Sequence, residues 1–459
     1  MKINKSKGLT PTESLLAKLC DRTFLKLWSY PNPSRADGKE LCDLLAVFED
    51  HVFLFFDRES RKFDKGSEDI LLTWERWERE AVQKQIATAR KAKRYISQHP
   101  NRIYLDAKHT TPLPVKLPPN GGQIHKIIVA HGAKEACKQF SDENVSGSLA
   151  VVYGDLGNKF SWPFMVHLDK NDPVHLFDSE NLGIILSELD TFFDFVSYLT
   201  AKERAIQQLK SLIYCGEEDL LAHYFLNFDG QAHFIGTKDN SVDFVYIGEG
   251  EWRDFIKSGP YQRRRKANEV SYFWDHIIQK TCQNALDERL LGNAKLFDGK
   301  SAIHEMAKEP RFSRRALSEA MINAIQKFPA DGKKIFRNVT LMPSFYEGKA
   351  YVFLQLFHPN ILDYEHEYRP RRSNMLQIAC GAAKNKFPHL RKLIGIAIDA
   401  PKFSERNSED FLLLECEKWS LKDAAFFLEA NHALRFFETD SFRVEKKTVS
   451  NFPSADCAT

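Results

Sequence analysis

The sequence lacks the short motifs that identify most enzyme classes. Its eight cysteines include no CxxC pair and no Cys/His cluster at ligand spacing, which argues against a zinc module and a disulfide scaffold. It has no GxSxG elbow and no GxxxxGK[ST] loop, so serine-hydrolase and P-loop interpretations have little support. Carboxylates, histidines and basic residues therefore remain as the candidate functional residues.

The chain also lacks an apolar signal core at its start and any run of about eighteen uncharged apolar residues. Together with the scattered cysteines, this predicts a cytoplasmic location and no membrane partner. There are 65 basic and 62 acidic residues, a net charge of +3, so a nucleic-acid partner can be indicated only by local clustering.

The chain is long enough to form several cores. Its 459 residues, 43% of them hydrophobic and 28% charged, are typical of a globular protein with two or three domains. The order of helical and β-rich segments predicts an α/β protein with a mixed sheet and a second α/β domain. The predicted boundaries are 1–180, 181–295 for a mixed connecting region with a basic segment, and 296–459.

The clearest local pattern is a hairpin. Residues 40–48 and 51–57 are β-rich runs separated by "ED". Asp43 begins the first run, whereas Asp57 and Arg58 end the second. Because the runs are antiparallel, the start of the first lies beside the end of the second, so the three side chains are expected to meet. The two carboxylates would then bind a divalent cation. A solvated strand end is the alternative for each residue taken alone.

Helices are predicted on both sides of this hairpin. Residues 10–27 begin with Thr-Pro-Thr-Glu and have apolar residues at helical spacing, which predicts a helix with Glu13 in its first turn. Glu13 has either a capping role or a place at the metal site. Residues 67–100 predict a long helix that ends near a proline.

In this order of elements, residues 1–110 resemble the PD-(D/E)xK restriction-endonuclease-like superfamily, whose core runs helix, three strands, helix, strand. The resemblance implies a metal-dependent nuclease, with DNA as the favoured substrate. It implies that Asp43 and Asp57 bind Mg²⁺ or Mn²⁺, that Glu13 assists from the helix, and that Arg58 contacts the scissile phosphate. About half of the chain also resembles a bacterial protein family without an assigned activity. A role in phage defence follows from these resemblances by analogy alone.

The sequence departs from the superfamily motif. If Arg58 stands at the lysine position, the residue two before it is Phe56 rather than an acid, and if Asp57 is the acid, no lysine follows two residues later. Arginine cannot act as a base, so Lys62 or Lys65 is a candidate for the missing ammonium. The alternative function is therefore a degenerate nuclease fold that serves as an interaction or sensor protein in a defence complex.

Two basic segments are candidate nucleic-acid contacts. The denser one is flanked by aromatic residues, which suits stacking on bases, and consists of Arg263, Arg264, Arg265 and Lys266. A solvated loop is the alternative there. The other lies near the end of the long helix, where basic residues also complement the helix dipole, and consists of Arg90, Lys91, Lys93 and Arg94. The third domain is expected to contribute substrate binding, regulation or self-association.

The histidines and a mixed-charge segment are weaker indications of a functional site. His125, His131, His167 and His175 lie in or beside predicted strands without i, i+4 spacing, which favours core or edge positions over metal ligation. Residues 364–375 mix acids, a histidine and arginines, which favours a surface ion-pair network over a metal site.

Overall fold

A computed structural model describes residues 5–65, 69–141, 146–154, 162–237, 242–286, 296–329, 331–403, 408–438, 443–445 and 449–454. The described residues divide into two compact units, one within Asn4–Gly259 and one within Pro260–Thr459. Both units combine helices with mixed sheets, which confirms the predicted α/β class and the presence of a second α/β unit.

The elements of the first unit alternate between helix and strand. Its helices are α1 (Pro11–Thr23), α2 (Ile70–Glu78), α3 (Lys84–Gln98), α4 (Lys134–Phe140), α5 (Asn181–Glu188), α6 (Phe192–Gln208), α7 (Glu217–Leu226) and α8 (Glu251–Phe255). Its strands are β1 (Ser29–Pro31), β2 (Ser34–Arg35), β3 (Leu44–Phe48), β4 (His51–Glu59), β5 (Ile103–Tyr104), β6 (Gln123–His131), β7 (Ala150–Gly154), β8 (Met165–Leu168), β9 (His175–Asp178), β10 (Ser211–Tyr214) and β11 (Phe244–Ile247).

A five-stranded sheet with the order β1-β3-β4-β6-β9 forms the centre of this unit. β1, β3 and β4 are antiparallel, whereas β6 runs parallel to β4 and β9 parallel to β6. The predicted hairpin is confirmed, since Leu44 pairs with Phe55 and Phe48 with His51. Glu49 in the two-residue turn has a φ of 55°, the left-handed conformation that such turns require.

Helices cover both faces of the central sheet. On the face that carries Phe53, the rings of Phe24, which follows α1, and Phe195 of α6 lie 4.7 and 5.7 Å from the Phe53 ring. The predicted long helix is confirmed as α2, a π turn (Arg79–Gln83) and α3, and its α3 part contacts β4 and β6. It begins after Asp69, whose side chain caps the first turn.

The first unit extends beyond the predicted boundary at residue 180. A second sheet has the order β11-β10-β7-β8, with β10 antiparallel to β7. β7 lies in the predicted first domain and β10 in the predicted connecting region, and hydrogen bonds join them into one sheet. The division after Gly259 thus differs from the boundaries predicted at 180 and 295, because strand pairing depends on partners that a local shift in composition does not reveal.

The second unit is built around a four-stranded sheet. Its helices are α9 (Gly259–Asn268), α10 (Tyr272–Leu286), α11 (Leu296–Ala307), α12 (Arg311–Gln326), α13 (Arg369–Lys386) and α14 (Leu421–Asn431), and a π turn (Tyr364–Tyr368) precedes α13. Its strands are β12 (Phe336–Pro343), β13 (Lys349–Phe357), β14 (Lys392–Asp399) and β15 (Glu409–Glu415), in that order in the sheet. β13 and β14 are parallel and are joined through α13, whose buried Leu376 and Cys380 pack into the core with Val352 and Leu393.

Candidate functional site

The hairpin brings Asp43 and Asp57 together. The Asp43 Oδ2 atom accepts a hydrogen bond from the main-chain N–H of Asp57 at 2.6 Å, and the Asp43 N–H donates to the carbonyl oxygen of Phe55 at 3.1 Å. The two residues meet because Asp43 immediately precedes β3 and Asp57 lies near the end of β4. The contact joins a carboxylate to a backbone amide rather than joining two carboxylates.

Glu13 reaches the same region from the first turn of α1. Its Oε2 atom accepts hydrogen bonds from the main-chain N–H of Leu9 at 2.8 Å and from Nδ2 of Asn32 at 2.9 Å. Asn32 also donates to Glu40 at 2.7 Å, so one amide joins two carboxylates. The side chain of Thr10, not that of Glu13, caps the helix.

The Asp43 carboxyl lies among like charges. Burial raises the pKa of Asp43 to about 8; a hydrogen bond from the Asp57 amide opposes this effect, whereas the carboxylates of Glu40, Glu13 and Asp57 raise the pKa further. Burial also raises the pKa of Glu40. A carboxyl group with this pKa holds its proton at neutral pH unless a cation binds beside it.

Arg58 does not join this group of carboxylates. Successive side chains of β4 point to opposite faces of the sheet, so Arg58 lies on the face opposite Asp57. Its guanidinium pairs with Glu80 of the π turn at 3.3 Å, and Lys62 pairs with the same carboxylate at 3.1 Å. The side chain of Lys65 lies outside the described part of the structure. The predicted contact of Arg58 with a phosphate at Asp57 therefore has no geometric support.

A chain of hydrogen bonds runs through Asp57. Its Oδ1 atom accepts from the Thr12 hydroxyl at 2.6 Å, and its Oδ2 atom lies 3.0 Å from Nε2 of His131. The Nδ1 atom of His131 lies 2.8 Å from Oγ of Ser179. Asp57 and His131 are buried and Ser179 is exposed. Because β4, β6 and β9 are parallel, their carboxyl ends place Asp57, His131 and Ser179 at one edge of the sheet.

The donor set around Asp43 suits a hard cation. Carboxylate oxygens are the ligands that Mg²⁺ prefers, and Mg²⁺ is commonly held by one or two carboxylates together with water. Glu13, Asp43 and Asp57 do not place one oxygen each within 4.8 Å of one another. Among the described residues, the group that meets this condition is His125, His175 and Glu203. Three direct ligands from Glu13, Asp43 and Asp57 would therefore require these side chains to move.

The predicted nucleic-acid contacts are only partly exposed. Residues 263–266 lie on α9 rather than in a loop, and Arg264 is buried against the ring of Phe452, 5.6 Å away. Nε of Arg263 donates to the carbonyl oxygen of Pro453 at 3.1 Å. Arg265 and Lys266 are exposed.

The aromatic residues and the other basic segment are engaged within the units. Tyr261 and Trp274 are buried, so they do not present their rings to a base. On α3, Arg90 and Lys93 pair with Asp172 at 3.0 and 3.1 Å. These ion pairs reduce the charge that α3 offers to a phosphate backbone.

Four residues near the two aspartates were not predicted from local sequence patterns: Thr12, Glu40, His131 and Ser179. His131 and Ser179 follow buried strands at positions where parallel strands end, and this placement could have indicated them. The pairing of β4, β6 and β9 was needed to show that the three ends are adjacent. The place of Glu40 in this group depends on Asn32, whose side chain links Glu40 to Glu13, and no local sequence pattern predicts that contact.

Comparison with known proteins gave no match to any protein-family model, any curated protein or any solved structure. Within the described residues, no helix combines the length and the apolar character needed to cross a bilayer.

Proposed function

We propose that the first unit is a nuclease that hydrolyses phosphodiester bonds, with DNA as the favoured substrate and Mg²⁺ or Mn²⁺ as cofactor. The observation that carries the proposal is the Asp43 carboxyl, whose pKa is raised to about 8 by burial and by the neighbouring carboxylates of Glu40, Glu13 and Asp57. A divalent cation would remove this repulsion. Oxygen donors on two adjacent strands are suited to such a cation.

The order of elements supports the proposal. Helix α1 precedes the antiparallel strands β1, β3 and β4, and the helix formed by α2 and α3 leads to β6, which runs parallel to β4. This is the order that the resemblance to restriction-endonuclease-like proteins implies, although β6 lies after residue 110, where the sequence resemblance ends. The paired strands also place both aspartates at one end of the hairpin. A role in phage defence extends the proposal by analogy.

In this proposal, Asp43 and Asp57 hold the metal ion, and Glu13 contributes through water. Thr12 and His131 hold the Asp57 carboxylate in place, as outer partners of metal ligands do. When bound, the ion would supply charge stabilisation at the phosphoryl group and a more acidic water. Arg58 has no role at this metal site, because it pairs with Glu80 on the opposite face of the central sheet.

The test is cleavage of plasmid DNA, single-stranded DNA and RNA by the purified full chain with Mg²⁺, Mn²⁺ or EDTA. We expect metal-dependent cleavage that EDTA abolishes, with DNA preferred over RNA. No cleavage with either metal would contradict the proposal. It would favour the alternative, a nuclease-like fold that serves as an interaction or sensor protein.

Nucleic-acid affinity provides a separate prediction for α9. If the exposed cations there contact a phosphate backbone, the double variant Arg265→Ala/Lys266→Ala should weaken DNA binding and lower the slope of log affinity against log salt by about 2. Filter binding at several salt concentrations measures this slope. The exposed pair Lys333→Ala/Lys334→Ala is the charge-matched control, and equal slopes for both double variants would remove α9 from the proposed contact surface.

A second candidate function follows from the chain Ser179–His131–Asp57. An exposed hydroxyl bonded to an imidazole that is held by a buried carboxylate is the arrangement that activates a serine nucleophile. Such a site would hydrolyse esters without a metal ion.

Ser179→Ala separates the two functions. If the site is a nuclease, this variant should keep metal-dependent cleavage within about 2-fold of wild type, because the hydroxyl does not contact Asp43 or Asp57. If the site is a serine hydrolase, hydrolysis of p-nitrophenyl esters should fall by about 1000-fold or more. The control is Ser146→Ala, at a half-buried position outside both groups, which should keep both activities at wild-type levels.

A further inference from the structure

A second group of possible ligands lies at the other end of the central sheet. His125 of β6 and His175 of β9 both direct a ring nitrogen at Glu203 of α6. Nδ1 of His125 lies 2.9 Å, and Nε2 of His175 lies 3.0 Å, from the same Oε1 atom. One ligand atom of each residue lies within 4.8 Å of the other two. The three residues come from separate elements, so tertiary structure alone brings them together.

The group is buried on the side of the histidines and partly open to solvent at Glu203. The side chains of both histidines are 1% exposed, and that of Glu203 is 28% exposed. Neutral imidazole and carboxylate are the forms that ligate metals.

His51 extends the group on the side away from Glu203. Its Nδ1 atom lies 2.9 Å from Nε2 of His125, and its Nε2 atom lies 3.4 Å from Oδ1 of Asp50. If His51 donates Nε2–H toward Asp50, its Nδ1 atom must accept a hydrogen bond from Nε2–H of His125. Nδ1 of His125 then presents a lone pair, not a proton, to the Glu203 carboxylate.

In this tautomer a lone pair faces a carboxylate at 2.9 Å, which is repulsive unless a cation lies between them, whereas in the other tautomer His125 donates Nδ1–H to Glu203. Bonds of about 2.05 Å to a tetrahedral ion place the ligand atoms about 3.3 Å apart, so small side-chain movements would accommodate an ion. The partial exposure of Glu203 leaves room for water as a fourth ligand. A histidine that ligates a metal usually donates its other N–H to a neighbouring acceptor, and His51 provides that acceptor for His125.

We propose that His125, His175 and Glu203 bind a first-row transition-metal ion of the Zn²⁺ class, with His51 orienting His125. Two imidazoles and one carboxylate are typical of zinc and of non-haem iron or cobalt binding, whereas Mg²⁺ prefers oxygen ligands alone. The ion cross-links α6 to β6 and β9. This site is separate from the proposed nuclease site and does not depend on it.

The test is metal binding by the full chain after removal of metals with a chelator. Asp43→Asn provides the background, so that ions at the proposed oxygen site are not counted. We expect about one Zn²⁺ per chain by equilibrium dialysis and a visible absorption band of bound Co²⁺. Zn²⁺ at 100 times its Kd should raise the Tm by about 5–10 °C.

Glu203→Gln and His175→Gln keep the approximate size of each side chain but remove a ligand. Each should weaken Zn²⁺ binding by about 100-fold or more and abolish the Co²⁺ band, with circular dichroism confirming the fold. The exposed His167→Gln is the matched control and should bind as the background protein does.

The absence of both Zn²⁺ binding and a Tm shift at 100 µM Zn²⁺ in the background protein would overturn the proposal, whatever the variants do. Zn²⁺ affinities unchanged by Glu203→Gln and His175→Gln would also overturn it. The group would then be a hydrogen-bonded histidine network that binds protons but no metal ion.

Discussion

Replacing Asp43 by asparagine should abolish metal-dependent cleavage while leaving the first unit folded and more stable than wild type. Asparagine keeps an oxygen for the Asp57 amide but removes one of the two charges proposed to hold the metal ion. The rate of DNA cleavage at saturating Mg²⁺ should fall by about 100-fold or more. A loss of cleavage together with a gain in stability would distinguish a metal-binding carboxylate from a residue that only supports the fold.

The gain in stability follows from the raised pKa of Asp43, about 8 in the folded chain because of burial and neighbouring carboxylates. An unfolded aspartate loses its proton near pH 4. Between about pH 4 and 8, the folded state therefore binds more protons than the unfolded state, so the stability of the wild type falls as pH rises through this window. Asparagine does not titrate, so the variant's advantage should grow across the window and level off above pH 8.

Urea denaturation in EDTA at pH 5, 7 and 9 measures this difference. Since a shift of about four pKa units corresponds to about 5 kcal/mol, we expect Asp43→Asn to exceed wild type by up to about 5 kcal/mol at pH 9, and by about 1 kcal/mol at pH 5. Asp21→Asn is the control for cleavage, since Asp21 is also half-buried with a pKa raised by burial but lies near the end of α1. Cleavage by Asp43→Asn equal to that of the Asp21→Asn control would remove Asp43 from the site.

Arg372→Ala should destabilise the second unit by about 3–5 kcal/mol, the largest loss of stability expected here. The Arg372 side chain is fully buried; its guanidinium pairs with Asp399 and, at 2.8 Å, with Asp410, and donates to Ser408 at 2.9 Å. Removal of the guanidinium leaves the buried Asp399 without its counter-charge and leaves Asp410 paired with Arg369 alone.

Urea denaturation of the full chain, followed by limited proteolysis to identify fragments of residues 260–459, measures this loss. Arg371→Ala is the neighbouring control, because Arg371 is exposed and its removal should change stability by less than about 0.5 kcal/mol. Arg372→Lys restores a charge without the planar fork and should recover only part of the loss. Equal stabilities of Arg371→Ala and Arg372→Ala would show that the buried ion pairs contribute no net stability.

Local patterns predicted the elements that carry the proposed site. Apolar spacing and the Thr-Pro-Thr-Glu start predicted α1, and two β-rich runs around "ED" predicted the hairpin of β3 and β4. These predictions succeeded because helix and strand periods and a two-residue turn are properties of neighbouring residues. The approach of Asp43 to Asp57 followed from the antiparallel hairpin alone.

Neighbours that come from distant segments were not predictable in the same way. Strand alternation could have shown that Arg58 faces away from Asp57, but its partner Glu80 depended on the packing of the long helix. Residues 364–375 looked like a surface network, whereas the structure buries Arg372 against Asp399 and Asp410. Burial depends on what packs against a segment, and sequence composition does not give that partner.

The sequence by itself determined the α/β class, the hairpin and the presence of acidic residues at its ends, because these depend on contacts within a few residues. Tertiary structure alone decided that Asp57 lies beside His131, that Glu13 and Glu40 share Asn32, and that His125 and His175 meet at Glu203. Those contacts join residues up to 78 positions apart in the chain. They form only when strands pair in parallel and helices pack across the sheet, which fixes side-chain distances that no local pattern contains.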